Sequence, residues 1–185
     1  MFMNLLTTLL LLQTDPSREE VYKKTPQAEL KIQLWMPKAE GAKRPAIVFF
    51  FGGGWTSGNV GQFAKQAAYL AGRGMVAACA DYRVKSRHGV TPDACVEDAK
   101  SAVRWLRANA ERLGVDPSRI AAAGGSAGGH IAACTGIVPG LDAPGEDTAV
   151  SSRPDALILF NPVLHGEPIA QRLGDAEKAR AITPN

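Results

Sequence analysis

The sequence has little cysteine, no block of like charge and no apolar run long enough to cross a bilayer. Its cysteines are Cys79, Cys95 and Cys134, an odd number without a C-x-x-C pair, which excludes a disulfide framework and a zinc site. Lys+Arg 21 against Asp+Glu 18 leaves a net charge of +3, and the positive residues form no cluster with aromatic partners. The footprint of a nucleic-acid-binding face is therefore missing. Residues 1–12 are apolar, with Leu5, Leu6 and Leu9 to Leu12, but a span takes ~20 residues. What remains is 45% hydrophobic and 21% charged, which argues against disorder, collagen and a multi-span membrane protein. At 185 residues the chain suffices for one domain, burying roughly 70% of the surface of its unfolded state.

Residues 1–12 have the length of a signal-peptide core, and the polar residues 13–17 suit an exit from it. No Lys or Arg precedes the run and no A-x-A site follows it, so a mis-set start or a frayed segment is the alternative. Residues 1–20 are accordingly expected to be signal-like or disordered, and residues 21–185 to form a single domain. A signal peptide implies a secreted or periplasmic protein, and otherwise a cytoplasmic one.

Residues 29–35 alternate polar and apolar, the signature of a half-buried strand. Residues 46–51 and 75–80 are apolar at every position, as in strands buried on both faces. Helices are predicted over 61–71, closed by Gly72-Arg73-Gly74, and over 92–113, where Cys95, Ala99, Ala102, Val103, Leu106 and Ala110 keep one apolar face. A turn at Asp116-Pro117-Ser118 leads to a strand over 119–123, a helix over 127–138 and a last strand over 155–160. Buried strands alternating with helices predict an α/β fold, with a mostly parallel sheet covered by helices on both faces.

Two glycine turns carry the chemistry. Gly124-Gly125-Ser126-Ala127-Gly128 is a G-x-S-x-G between a predicted strand and a predicted helix, the context of a nucleophile elbow that holds a serine hydroxyl proud of the sheet edge. The alternative is a phosphate-cradling or merely flexible turn. The middle glycine of G-x-G-x-x-G is missing, however, and so is the Gly-Lys-Ser/Thr of a P-loop. Phe51-Gly52-Gly53-Gly54-Trp55, at the end of a buried strand, leaves backbone N–H groups free to face an oxyanion, although glycine there could simply permit a tight bend. Trp55 could line an acyl or alcohol pocket or pack in the core.

Together with Asp81-Tyr82-Arg83, these motifs resemble the α/β-hydrolase family, nearest its acetyl-esterase and hormone-sensitive-lipase-like branch, which includes feruloyl- and acetylxylan-esterase-like members. The resemblance covers about residues 21–163. It implies that Ser126 is the nucleophile, that the N–H groups of Gly53, Gly54 and Ala127 form the oxyanion hole, and that a small carboxylic ester is hydrolysed through an acyl-enzyme. No metal or organic cofactor is implied. The family has His before the three glycines, and Phe51 stands there, which puts the bracing of the loop in question.

The family order of the triad is Ser, then acid, then His, and the resemblance places the acid after the strand beyond residues 155–160 and the His after one more. Neither is expected within residues 1–185, which predicts a C-terminally incomplete domain. His165 is a weak substitute beside the reading as a loop histidine. Asp155 is expected at the opposite edge from Ser126, and Asp175 follows His165 and so breaks the order. His130 is expected to pack or hydrogen-bond structurally, His88 to be solvated, Asp98 to form an ion pair, and the cysteines to be buried thiols. Without its His a serine hydrolase loses ~10⁶ in kcat. Two readings remain beside the esterase: an inactive hydrolase or binding protein using the glycine-lined cleft, and a triad completed by another chain. A strand over 155–160 left as a bare edge would favour an oligomer.

Overall fold

The computed structural model describes residues 15–38 and 43–184, so the signal-like reading of residues 1–12 lies outside the described residues. Among the described residues six strands, β1 (Arg18–Lys24), β2 (Glu29–Trp35), β3 (Arg44–Phe50), β4 (Val76–Ala80), β5 (Val115–Gly125) and β6 (Ala156–Phe160), form one sheet in the order β1-β2-β4-β3-β5-β6. β1 pairs antiparallel with β2, and β2 with β4; the pairings β4–β3, β3–β5 and β5–β6 are parallel. The helices are α1 (Ala64–Gly72), α2 (Lys85–His88), α3 (Pro92–Ala108), α4 (Ala110–Leu113), α5 (Ala127–Ile137), α6 (Gly166–Leu173) and α7 (Ala176–Ala181).

The uninterrupted apolar runs of β3 and β4 are explained by cover on both sides. Val48, Phe50, Ala78, Ala80 and Ala122 pack with α3 and α5, while Ile47, Phe49, Ala77, Cys79 and Ala123 face α1. Successive side chains of a strand point to opposite faces, so two cores need apolar residues at every position.

Several elements differ from the sequence reading. The first strand begins at Arg18, ahead of the expected start of the domain at Val21. The helix expected over 61–71 opens as a 3-10 turn, Val60–Phe63, in which the Asn59 side chain accepts from the Gly61 N–H. The long helix expected over 92–113 breaks at Asn109, whose side-chain amide donates to the Trp105 carbonyl (2.8 Å). The turn expected at residues 116–118 is a bulge inside β5, since Val115 pairs with Arg44 and Ile120 with Ala46.

The cover is unequal at the β6 edge. On the α1 side Ile158 and Phe160 are 43% and 45% exposed, and with Phe49, Tyr69 and Leu70 they line an open cleft of about 400 Å³. No helix among the described residues is long and apolar enough to cross a membrane.

Candidate functional site

β5 ends at Gly125 and α5 begins at Ala127, which leaves Ser126 alone to reverse the chain. It does so with φ 54 and ψ −119, a conformation that strains any residue with a Cβ. Its backbone is pinned from three directions: the N–H donates to the Phe160 carbonyl (3.0 Å), and the carbonyl accepts from the His130 N–H (3.0 Å) and the Val163 N–H (3.3 Å). The side chain is exposed, and among the described residues nothing hydrogen-bonds its Oγ. The turn fits only because its flanks lack side chains. A methyl group on Gly124 would lie 2.3 Å from the Gly128 carbonyl oxygen, and one on Gly128 would lie 2.2 Å from that of Phe50. The start of α5 thus rests directly on the backbone of β3, and its N-terminus, with the Ala127 N–H, favours negative charge beside Ser126.

The second glycine turn leaves β3 and comes back against the first. A methyl group on Gly52 would sit 2.9 Å from the Gly125 carbonyl oxygen and 3.3 Å from the Ser126 Cβ. The Gly52 N–H is taken by the Gln62 side chain (2.6 Å), and the Gly53 carbonyl accepts from Thr56 and Ser57, both at 3.1 Å. Gly53 and Gly54 have φ 138 and 61, values that turn the chain as an L side chain rarely allows. Their N–H groups donate to no acceptor among the described residues. Two uncommitted donors thus lie on a turn that packs, through Gly52, against an exposed hydroxyl at a helix N-terminus.

The residue in place of the family's histidine braces the loop by packing. The Phe51 ring stacks on Tyr82 with centroids 4.0 Å apart, and the Tyr82 hydroxyl donates to the Phe51 carbonyl (2.6 Å). Trp55 is 4% exposed, and its indole N–H donates to Nδ1 of His130 (3.1 Å), so its one polar group is engaged in the core. His130 is fully buried and its Nε2 contacts the Ile182 carbonyl (2.7 Å). Desolvation pushes its pKa down from 6.5 to about 4, which keeps the ring neutral.

The remaining candidates stand elsewhere. His165 is exposed at the start of α6 and makes no hydrogen bond to Ser126. Asp155 sits at the opposite end of β6, accepting from the Ile120 N–H (2.9 Å) and Arg107 (3.1 Å). Asp175 caps α7 by accepting from the Glu177 and Lys178 N–H groups. His88 is only partly exposed, and its Nδ1 accepts from the Val84 N–H at 3.0 Å. Asp98 is buried and holds Arg83 at 2.8 Å through both carboxylate oxygens, with Lys23 at 2.8 Å as a second cation. The three cysteines are buried and unpaired, and burial raises each thiol pKa, those of Cys79 and Cys134 to about 12. Among the described residues no three His, Cys, Asp or Glu side chains gather as a metal-ligand set.

Sequence reasoning missed three contributors. Tyr82 and Gln62 bind the loop through single hydrogen bonds that no local pattern announces. Arg172, on a helix the sequence reading did not foresee, places its guanidinium 3.4 Å from the Thr56 hydroxyl, next to the loop.

Residues 32–155 match the BD-FAE family. Carboxylesterase NlhH of Mycobacterium tuberculosis is 36% identical over 106 residues, 57% of this chain and 33% of that protein. The probable isoprenylcysteine alpha-carbonyl methylesterase ICMEL1 of Oryza sativa subsp. japonica is 37% identical over 132 residues, 71% of this chain and 30% of that protein. Among solved structures, Thermogutta terrifontis esterase 2 phosphoramylated by tabun superposes with a TM-score of 0.85 at 52% identity, covering 90% of this chain and 64% of that one. Its propionate-bound form gives a TM-score of 0.85 at 50% identity, with 93% and 67% covered. The chain thus spans about a third of the length of these curated relatives and about two thirds of the solved esterase.

Proposed function

The chain belongs to the BD-FAE family and has the α/β-hydrolase fold, and from that premise we propose that it carries the nucleophile and charge-stabilising part of a carboxylic ester hydrolase. The observation that carries the proposal is the exposed Ser126 at φ 54, ψ −119, between β5 and α5 and against the Gly52–Gly54 turn. Ser126 Oγ attacks the ester carbonyl carbon, and the carbonyl electron pair moves onto oxygen. That oxyanion is held by the N–H groups of Gly53, Gly54 and Ala127, a kind of donor worth ~10²–10³ each in rate. Collapse breaks the bond to the leaving oxygen, which departs as an alcohol with the proton that began on Oγ. Water then releases the acid from the acyl-serine.

A short acyl group is the substrate class best supported, since the solved relative is described with propionate and with butyrate bound. The proton on Oγ must pass through a base, and none among the described residues stands within hydrogen-bond reach of it. A missing base lowers kcat by ~10⁶. That observation favours a second reading for these 185 residues taken alone, a cleft that binds esters and turns them over slowly or not at all.

Hydrolysis of p-nitrophenyl butyrate by the chain and by Ser126→Ala separates the two. Turnover that disappears in the variant supports the esterase; turnover that persists in it overturns the assignment of Ser126. Equal ester binding by both proteins with no turnover identifies the binding reading. A rate that climbs more steeply than protein concentration would mean that a second chain supplies the base.

A further inference from the structure

Trp55 directly follows the two glycines whose amides remain uncommitted, and it is itself a residue with a Cβ at φ 57. Such a conformation persists only where its surroundings hold it. Its backbone is held on one side, where the carbonyl accepts from the Lys85 N–H (3.0 Å). Its side chain is held on the other, edge-on to the His130 ring with centroids 5.2 Å apart and hydrogen-bonded at 3.1 Å.

We propose that His130 is a positioning residue for the oxyanion loop: its Nδ1 fixes the Trp55 indole, and its Nε2–H latches that indole to the Ile182 carbonyl just past α7. The direction of both bonds follows from the donor inventory. An indole nitrogen can only donate, so Nδ1 accepts and carries no proton; the neutral ring then bears its hydrogen on Nε2, where a carbonyl oxygen waits at 2.7 Å. Cys134 reinforces the same end, its thiol donating to the Ile182 carbonyl at 3.3 Å. A cationic ring would turn an N–H towards the indole N–H, and burial, which holds the pKa near 4, disfavours that form. The elbow helix thereby sets the far end of the loop that faces it, across 75 residues of sequence.

The inference rests on reading Gly53 and Gly54 as oxyanion donors, but its test follows their position and not turnover, so either can fail alone. Nuclear magnetic resonance of the ¹⁵N-labelled chain near pH 7 provides it, with the Trp55 indole signal assigned through Trp55→Phe. Long-range proton–nitrogen correlations should identify His130 as the Nε2–H tautomer. An Nδ1–H tautomer or a cation overturns the proposal without any variant having to fold. His130→Gln retains a donor near the Nε2 site and loses the acceptor for Trp55; His130→Asn does the reverse. In His130→Gln the indole hydrogen should exchange roughly tenfold faster, as for a lost neutral hydrogen bond, and the Gly53 and Gly54 amide signals should move. In His130→Asn those signals should return towards their original positions, while the Ile182 end exchanges faster. Gly53 and Gly54 signals that stay put in His130→Gln while the indole bond is lost would show a histidine that packs without positioning.

Discussion

Gly124 and Gly128, in the turn that carries Ser126, keep backbone against backbone: an added methyl group would lie 2.2–2.3 Å from a carbonyl oxygen. Gly54, in the turn opposite, has φ 61, and an added methyl group would meet only the Arg172 guanidinium, at 3.7 Å. Gly124 and Gly128 bring two chains together, as Gly52 does in the turn opposite, whereas Gly54 serves a left-handed backbone with open space around it. The two turns run consecutive glycines in sequence and lie against each other, yet Gly128 and Gly54 should differ sharply in their tolerance to substitution.

Gly128→Ala is the most severe way to try that contrast. Main-chain atoms of β3 cannot withdraw as the end of a flexible side chain can, so the variant should lose about 3 kcal/mol or more in urea unfolding. A loss below about 1 kcal/mol would show that β3 and α5 can part, and the contrast would collapse.

Acid probes the latch between the turns. The His130 pKa is about 4 in the folded chain and 6.5 as an ordinary histidine, so between those values the unfolded state binds more protons. The contribution of this group to stability is complete above about pH 6.5 and is lost as pH drops towards 4, by about 3 kcal/mol. Cys134, held near 12, stays neutral throughout. Denaturant melts of the chain and of His130→Gln at a series of pH values should show that slope in the first and its loss in the second.

Ser126→Gly sharpens the contrast from the other side. Relief of the strain at φ 54, less the entropy that glycine adds to the unfolded chain, should raise stability by about 1 kcal/mol. An unchanged or lower midpoint would mean that the surrounding hydrogen bonds leave little strain to relieve. Gly54→Ala should have the smallest effect, a loss of about 1 kcal/mol from a left-handed alanine, with hydrolysis by any active form reduced more than stability. A loss matching that of Gly128→Ala would erase the difference between the two positions.

Features with a local cause were legible in the sequence. β3 from Ala46 and β4 declare themselves because every side chain there enters one of two cores, and Ser126 because a strand–glycine–serine–glycine–helix pattern has few other uses. β1 did not, because its sequence Arg-Glu-Glu-Val-Tyr-Lys-Lys is that of an edge strand with mostly exposed side chains. The break at Asn109 was hidden because Leu106, Ala110 and Leu113 keep the apolar spacing across it and all remain buried. The bracing of the loop was illegible for a third reason: Phe51 meets Tyr82 and Trp55 meets His130 only once β3, β4 and β5 lie side by side.

The strand order also fixes a sequence of events during synthesis. β3 is complete at Phe50, but its neighbour β5 ends only at Gly125. A ribosome adding ~5–20 residues per second needs roughly four to fifteen seconds to cover that interval. For that time Phe49 and Phe50 lack the strand they pair with, and the turn after them has nothing to lean on. The nascent chain is thus open to aggregation until β5, which leads into Ser126, joins the sheet, and slow translation or a chaperone shortage would be felt in that interval.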